Sequence, residues 1–125
     1  MPDHISVVIC DDSLGFPTLA ETWLVGDGRF AVVGHAKGGE EAKAIVAACR
    51  PDLLLLDLLL PDVPDTPALV TELRALAPGL RIMLISSMPA DRLLLAGAKA
   101  GVEAVCSKAA NAEQLADALY TVATG

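Results

Sequence analysis

Five polar side chains stand where short apolar runs end, and their types together suggest phosphoryl chemistry. Asp11 and Asp12 follow the first apolar run, Asp57 closes the third, Ser86 closes the fourth, and Lys108 follows the fifth. Ligands of an open α/β sheet bind outside the carboxyl ends of its strands. If the runs are parallel strands, these five side chains converge on one edge of the sheet.

The three carboxylates of this set need a cation, because like charges in close contact raise one another's pKa. An all-oxygen ligand set suits Mg2+, which prefers octahedral geometry and keeps several waters. A carboxylate held anionic in this way can attack phosphorus, since phosphoryl transfer depends on positioning and charge neutralisation. With a lysine ammonium and a serine hydroxyl to hold the phosphoryl oxygens, the set predicts an aspartyl phosphate.

Each of these residues also has an ordinary structural role open to it. Asp12, followed by Ser13, is of a type that caps helices. Lys108 suits the role of partner to a buried carboxylate, and Ser86 suits that of a strand-end hydroxyl bonded to the backbone. Taken singly, the two interpretations of each residue are about equally good. All five at the ends of strands one, three, four and five favour the functional interpretation.

Short apolar runs alternate with longer segments of helical period, which predicts a βαβ protein with a parallel sheet. The predicted strands are Ile5–Cys10, Phe30–Ala36, Leu53–Asp57, Arg81–Ser86 and Val102–Ser107. Right-handed crossovers favour a doubly wound α/β fold, a five-stranded parallel sheet with five helices on its two faces. This flavodoxin-like three-layer sandwich forms a single domain over residues 1–125, with a core of about 5–122.

The five helices are predicted from apolar spacing and from the residues at their ends. The first helix has an apolar face made of Phe16, Leu19, Ala20, Trp23 and Leu24. The second helix stops before Pro51, and its apolar face is made of Ala42, Ile45, Val46 and Cys49. The third begins with Thr66 as cap and Pro67 as first residue, and it carries Leu69, Leu73 and Leu76 before Pro78 and Gly79. The fourth runs from about Pro89 to Gly101, and Asn111 with Gln114 forms a capping box that opens the fifth, with Leu115, Ala118, Leu119 and Val122 on its face.

Composition excludes several function classes. No segment sustains the roughly 18 consecutive apolar residues of a membrane span, and the amino terminus lacks the positive start of a signal peptide, so we expect a cytoplasmic protein without membrane contact. A net charge of −7 with only nine Lys and Arg residues argues against nucleic acid binding by this segment. Cys10, Cys49 and Cys106 have no metal-like spacing, and we expect all of them to be buried, reduced thiols.

Four stretches of the chain resemble the receiver domains of two-component response regulators: VVICDDS, LLLLDLLLPD, IMLISS and AVCSKA. Two further stretches, VVGHAKGGEEA and LRALAPGLRIMLIS, are most similar to the subgroup with a helix-turn-helix (LuxR-type) transcription output, as is Ala109 after the lysine in place of proline. The resemblance runs from Ile5 to about Val122. It implies a phosphorylation-dependent signalling switch that is not a turnover enzyme and catalyses only its own phosphorylation and dephosphorylation.

The resemblance also implies a role for each site residue. Asp57 would be the phosphoacceptor; Asp12, Asp57 and the backbone carbonyl of Leu59 would ligate Mg2+, and Asp11 would act mostly through bound water. Ser86 would bond a phosphoryl oxygen and Lys108 would pair with the phosphate. The phosphoryl donor would be a phosphohistidine on a sensor histidine kinase, or a small acyl phosphate.

Some positions depart from the pattern of the family. The aromatic residue that usually stands three positions before the lysine, and rotates inward on activation, is Val105 here. In the same switch region Ser87 replaces the usual small residue after the hydroxyl of Ser86. The usual glycine eight positions after the acceptor is Asp65, in a loop that Pro64 and Pro67 stiffen. With valine at position 105, aromatic rotation cannot be the signal. The loop departs from the geometry of the family, and the acceptor chemistry stays in place.

Two apolar residues bracket the predicted acceptor site, and they bear on the lifetime of the phosphoryl group. Leu59 lies two positions after Asp57, and Met88 lies two positions after Ser86. Polar groups at such positions can orient an attacking water, whereas bulky apolar groups exclude it. We therefore expect slow loss of the phosphoryl group.

The fourth helix carries Leu93, Leu94 and Leu95 in succession, more apolar surface than one buried face requires. Either the helix is broadly covered, or its exposed face serves a homodimer or an output domain. The resemblance to the helix-turn-helix subgroup places any DNA-binding output domain beyond Gly125.

Three other functions compete with the phosphorylated switch. A pseudo-receiver would use the same fold as a phosphorylation-independent interaction module, which the missing aromatic favours and the intact acidic set disfavours. A phosphatase resembling haloacid dehalogenases needs a second Asp two positions after the nucleophile, where Leu59 stands. A flavin or nucleotide carrier needs a glycine-rich phosphate loop, and the sequence contains neither GxGxxG nor GxxxxGK.

Overall fold

In a computed structural model that describes residues 4–125, the chain forms one parallel sheet with strand order β2-β1-β3-β4-β5. The strands are β1 (Ile5–Cys10), β2 (Phe30–Ala36), β3 (Leu53–Asp57), β4 (Arg81–Ser86) and β5 (Ala104–Ser107). From β1 the chain goes to β2 on one side of the sheet and then to β3 on the other side of β1. Ligands of doubly wound folds bind at this switch point, between β1 and β3. The predicted fold class is confirmed.

Five helices alternate with the strands: α1 (Phe16–Asp27), α2 (Gly39–Cys49), α3 (Thr66–Leu76), α4 (Ala90–Ala100) and α5 (Ala112–Thr124). Among residues 4–125 no helix is long and apolar enough to cross a membrane. The amino-terminal residues that bear on a signal peptide, 1–3, lie outside the described range.

The sheet separates two apolar cores. One core packs α2, α3 and α4 against one face, and the other packs α1 and α5 against the opposite face. Successive residues of each central strand enter opposite cores, as Leu54 and Leu55 do. Burial on both faces explains why β3 is leucine at four consecutive positions, all of them 0% exposed. The four leucines therefore hold the carboxyl end of β3, and with it Asp57, at a fixed position.

The helix termini agree with the sequence in part. The capping box of α5 is confirmed, since Asn111 and Gln114 bond reciprocally through side chain and backbone. The cap predicted for α3 was wrong by one residue: Asp65 is the N-cap and its carboxylate accepts a hydrogen bond from the N–H of Ala68 at 3.1 Å, so Thr66 is already helical. The residue that replaces the glycine of the family thus has a structural role of its own.

Three further predictions were wrong. Strand β5 begins at Ala104, because Val102 lies in the turn that follows α4 and donates its N–H to the carbonyl of Gly97 at 3.3 Å. Leu19 is 45% exposed, because it lies about 100° around α1 from the buried Ala20. Cys49 is exposed, because it is the last residue of α2 and lies beside β2 at an edge of the sheet.

Candidate phosphoryl-acceptor site

Three of the predicted site residues meet in direct ionic contact at the carboxyl edge of the sheet. The ammonium of Lys108 lies 2.8 Å from Oδ2 of Asp11 and 3.4 Å from Oδ2 of Asp57. Both carboxylates are buried, and the side chain of Lys108 is only 18% exposed. The charged residues at the carboxyl ends of β1, β3 and β5, which are Asp11, Asp57 and Lys108, therefore lie together, as the sequence predicted.

Asp11 is held by the turn that follows β1. Its Oδ1 accepts a hydrogen bond from the N–H of Ser13 at 2.7 Å. Its Oδ2 is buried and has no aligned hydrogen-bond donor among residues 4–125, although the Lys108 ammonium is in ionic contact with it. A buried carboxylate oxygen with this unused acceptor capacity suits coordination of a cation or of a water bound to one.

Asp12 completes an acidic cluster that fits Mg2+. One oxygen from each of Asp11, Asp12 and Asp57 lies within 4.8 Å of the others. Asp12 is exposed, and it does not cap α1, whose N-cap residue is Gly15 without a side-chain hydrogen bond. With its structural alternative removed, Asp12 adds an open oxygen ligand of the kind a hard cation prefers. Leu59, the remaining predicted ligand, donates its N–H to Oδ1 of Asp57 at 3.2 Å, while the role of its carbonyl stays a prediction.

The pKa values of the two buried carboxyl groups move in opposite directions. Burial and the neighbouring charge of Asp11 raise the pKa of Asp57 against the opposing effects of the Leu59 N–H and of Lys108. Burial also acts to raise the pKa of Asp11, but Lys108 and the Ser13 N–H outweigh it and the net shift is downward. For Lys108, burial lowers the pKa and the two carboxylates more than offset it, so its ammonium stays charged. Of these two carboxylates, Asp57 therefore has the less stabilised negative charge, and a bound cation would stabilise it.

Ser86 stands beside this cluster at the end of β4. It is 1% exposed, its hydroxyl accepts a hydrogen bond from the N–H of Met88 at 3.1 Å, and its carbonyl accepts from the N–H of Lys108 at 3.0 Å. The backbone therefore ties the predicted hydroxyl to the predicted lysine. Ser87 is exposed and Met88 half-buried, so both lie at the rim of the site.

The loop after the acceptor is anchored by a residue that sequence reasoning missed. Asp62 accepts hydrogen bonds from the N–H groups of Gly39 at 2.9 Å and Glu40 at 3.3 Å, so it caps α2 from outside that helix. These N–H groups lower the pKa of Asp62. The available signal was indirect, since α2 begins after Gly38, which has no side chain to cap it.

A second missed residue touches the lysine. The ring of Phe16, the first residue of α1, has its centroid 5.2 Å from the Lys108 ammonium. Sequence reasoning counted Phe16 only as part of an apolar face. Nothing in the sequence brings residues 16 and 108 together, because their contact depends on how α1 packs against the sheet face that it shares with α5.

Cys10 is the residue directly before the acidic pair, and its thiol is inert. Burial, followed by the negative charges of Asp62 and Asp11, raises the pKa of Cys10 to about 12. A thiol that stays protonated at neutral pH is a poor nucleophile and a poor metal ligand. Cys106 is likewise buried with a raised pKa, so the expectation of buried thiols is confirmed for these two cysteines and wrong for Cys49.

Val105, where the family usually has an aromatic residue, is half-buried under α4. A Cβ atom added at Gly97 would collide with Cγ1 of Val105, so α4 lies as close to β5 as a glycine permits. The small pair Gly97 and Val105 therefore fills the space next to the switch region without an aromatic ring.

The sequence matches known signalling proteins over nearly its whole length. The profile of the family described as response regulator receiver domain matches residues 7–120. The response regulator protein VraR of Staphylococcus aureus is 28% identical over 121 residues, which cover 97% of this chain and 57% of that protein. The chain thus spans a little over half the length of the curated relatives it matches.

Solved structures agree with this match. The signal receiver domain of the response regulator NarL from Mycobacterium tuberculosis has a TM-score of 0.90 at 26% identity, with 99% of each chain covered. A response regulator from Chloroflexus aurantiacus has a TM-score of 0.87 at 26% identity, covering 98% of this chain and all of that one. A DNA-binding response regulator of the LuxR family from Staphylococcus aureus, at 16% identity, is similar in fold, with a TM-score of 0.84 and coverage of 95% and 98%.

Proposed function

This chain belongs to the receiver-domain family of response regulators, and we propose that it works as a phosphorylation-dependent switch in which Asp57 accepts the phosphoryl group. As a receiver domain it takes part in phosphorylation-based signalling. The observation that carries the assignment of Asp57 is its position: it is buried at the end of the central strand β3, 3.4 Å from the Lys108 ammonium and within 4.8 Å of two further carboxylates.

The proposed reaction is a direct transfer to a carboxylate. An oxygen of Asp57 forms a bond to phosphorus while the bond from phosphorus to the donor breaks. The bonding electron pair leaves with the donor, which is a phosphohistidine nitrogen of a sensor histidine kinase or the acyl oxygen of a small acyl phosphate. A later attack by water on phosphorus releases inorganic phosphate and restores the carboxylate.

The residues around Asp57 supply charge and orientation for this transfer. Lys108 already contacts the acceptor and can follow the negative charge from the carboxylate to the phosphoryl oxygens. The Ser86 hydroxyl accepts from the Met88 N–H, and its own proton is available to donate to a phosphoryl oxygen on activation. The N–H of Leu59 fixes the orientation of the acceptor carboxylate.

Asp12, Asp57 and the carbonyl of Leu59 would hold Mg2+ directly, with Asp11 acting through bound water. When bound, Mg2+ supplies the positive charge that offsets the clustered carboxylates and the incoming phosphoryl oxygens. The chemistry of the donor set and the unused acceptor capacity of Asp11 Oδ2 support this ligand set.

Intact-mass spectrometry after incubation with acetyl phosphate and Mg2+ tests the proposal. We expect one added phosphoryl group on the wild type, and none on Asp57→Ala or after chelation of Mg2+. Asp52→Ala, which changes an exposed aspartate at the opposite end of β3, is the matched control and should be phosphorylated like the wild type. If the wild type gains no phosphoryl group and does not bind BeF3−, the chain is a pseudo-receiver.

We further propose that the phosphoryl group is lost slowly. Leu59 is 64% exposed and donates its N–H to Asp57, and Met88 is half-buried and donates its N–H to Ser86. Neither side chain can hydrogen-bond an attacking water. Replacing Leu59 by asparagine should shorten the lifetime of the acyl phosphate, and a half-life in the wild type as short as in the variant would contradict the proposal.

The output of the switch is proposed from the family. We place the chain in the cytoplasm, upstream of transcription regulation, as in the relatives with a LuxR-type domain. The fourth-helix face is defined by Leu94 and Leu95, which are 62% and 57% exposed, while Leu93 is buried. Phosphorylation changes the charge at the rim from which α4 begins, and we propose that this change controls a homodimer through the fourth-helix face.

A further inference from the structure

The ammonium of Lys108 lies close to three groups. It is 2.8 Å from Oδ2 of Asp11, 3.4 Å from Oδ2 of Asp57, and 5.2 Å from the centroid of the Phe16 ring. The last distance is within the range in which an aromatic quadrupole attracts a cation. Because the lysine side chain is only 18% exposed, little water competes with this attraction.

The ring itself is held by rigid structure. Phe16 is the first residue of α1, and it packs against the core that α1 and α5 form with the sheet. Pro17 follows it and fixes the backbone at the start of the helix. We therefore expect the ring to stay beside the lysine when the site binds a cation or a phosphoryl group.

From this arrangement we propose that Phe16 is a positioning residue of the phosphoryl-accepting reaction. Its ring keeps the ammonium of Lys108 over the acceptor and restricts the rotamers of the lysine. A free lysine side chain samples many rotamers, and that freedom would have to be lost at each transfer. The inference rests on the proposed function, since it concerns how Lys108 is placed for that reaction.

The ring also suits the change of charge that the reaction brings. In the resting site Lys108 pairs with carboxylate oxygens, and after transfer it must pair with phosphoryl oxygens further from the backbone. A third carboxylate in place of the ring would bind the ammonium tightly and oppose this shift. An aromatic face attracts the cation weakly and over a broad area, so the ammonium can move without losing the contact.

The test compares phosphorylation rates with acetyl phosphate and Mg2+ for the wild type, Phe16→Leu and Phe16→Tyr. Phe16→Leu, which removes the ring, should slow phosphorylation about two- to fivefold. Phe16→Tyr keeps the aromatic face and should be phosphorylated at the rate of the wild type. Trp23→Leu is the matched control, because Trp23 lies on the same helix against the same core and has no cation at its ring among residues 4–125. It should lower stability without lowering the rate.

Two further measurements separate positioning from packing. In a Lys108→Ala background, Phe16→Leu should cause no further loss of rate, because the ring acts through the lysine. In NMR spectra of the wild type, the ε-methylene protons of Lys108 should be shifted upfield by the ring, and this shift should vanish in Phe16→Leu.

Failure of this inference differs from failure of the proposed function. If the wild type accepts a phosphoryl group but Phe16→Leu and Trp23→Leu are slowed equally, the proposal for Phe16 is overturned while the switch stands. Unshifted Lys108 protons in the wild type would overturn it even if no variant folds. If the wild type accepts no phosphoryl group, the proposed function itself is wrong.

Discussion

Replacing Asp12 by asparagine should stabilise the protein without Mg2+ and make its stability insensitive to Mg2+. One carboxylate oxygen from each of Asp11, Asp12 and Asp57 lies within 4.8 Å of the others. Of these three residues, Asp11 and Asp57 are in ionic contact with Lys108. The Asp12→Asn change would remove one negative charge while keeping nearly the same shape. It therefore separates the charge of Asp12 from its packing.

The expected magnitudes follow from the distances. At 4.8 Å, two unit charges repel by about 1 kcal/mol even at the dielectric constant of water, which is the appropriate value for an exposed side chain. Because Lys108 offsets about one of the two neighbouring negative charges, Asp12→Asn should gain about 1 kcal/mol in the free energy of unfolding without Mg2+. Mg2+ at ten times its Kd should stabilise the wild type by about 1.4 kcal/mol. For a chain of 125 residues, this corresponds to a rise in Tm of about 5 °C.

Thermal unfolding with and without Mg2+, at constant ionic strength, measures both effects. The variant should unfold at a higher temperature than the wild type in EDTA, and the difference should shrink or reverse in Mg2+. Asp91→Asn, an exposed aspartate in the first turn of α4, is the control and should keep the full Mg2+ response. A full response in Asp12→Asn would refute the assignment of Asp12 as a ligand.

Three other predictions concern the elements around the site. Asp62→Ala should lower the free energy of unfolding by about 1 kcal/mol at neutral pH, because the α2 cap is lost. The pKa of Asp62 is lowered in the folded state, so this difference from the wild type should disappear as the pH falls below the ordinary aspartate range and through the lowered pKa. Urea unfolding at several pH values measures it. Gly97→Ala should cost about 1–3 kcal/mol by overpacking against β5, whereas Gly79→Ala, which meets no atom within 4 Å, should be nearly neutral in the same assay. Leu94→Ser with Leu95→Ser should weaken a BeF3−-dependent dimer in analytical ultracentrifugation without loss of BeF3− binding, and an unchanged dimer would exclude the fourth-helix face.

The fold could be predicted because the apolar pattern and the helix ends agree with each other. The leucines of β3 indicate a strand buried on both faces, and the capping box at Asn111 indicates a helix start, each from local residues alone. The misses lie where several residues compete for one role. Asp65 and Thr66 are both good caps, and only the backbone decides which one is outside the helix. Val102 suits a strand by type, but it follows Gly101, which caps α4 at φ 73°, and it lies in the turn that closes that helix.

The site was predictable to the extent that it depends on strand ends. Parallel strands bring their carboxyl ends to one edge, so the convergence of Asp11, Asp57 and Lys108 followed from topology. The contributions of Asp62 and Phe16 were not predictable, because both act across elements whose distance is set by packing. Asp62 caps α2 from 23 residues away in sequence, and Phe16 places its ring near Lys108. Neither contact produces a periodic pattern in the sequence.

The absence of the usual aromatic residue changes where a signal can travel. Val105 packs directly against Gly97, and a Cβ atom added at Gly97 would lie 2.4 Å from its Cγ1, so α4 and β5 are in close contact here. Position 105 has no ring to rotate, so we expect a movement of β5 to act on α4 through this contact. The backbone bond from the Lys108 N–H to the Ser86 carbonyl joins the two residues that we propose to bind the phosphoryl group. When a phosphoryl group binds both residues, we expect the β4–β5 edge and the start of α4 to shift together. The fourth-helix face should then move with them.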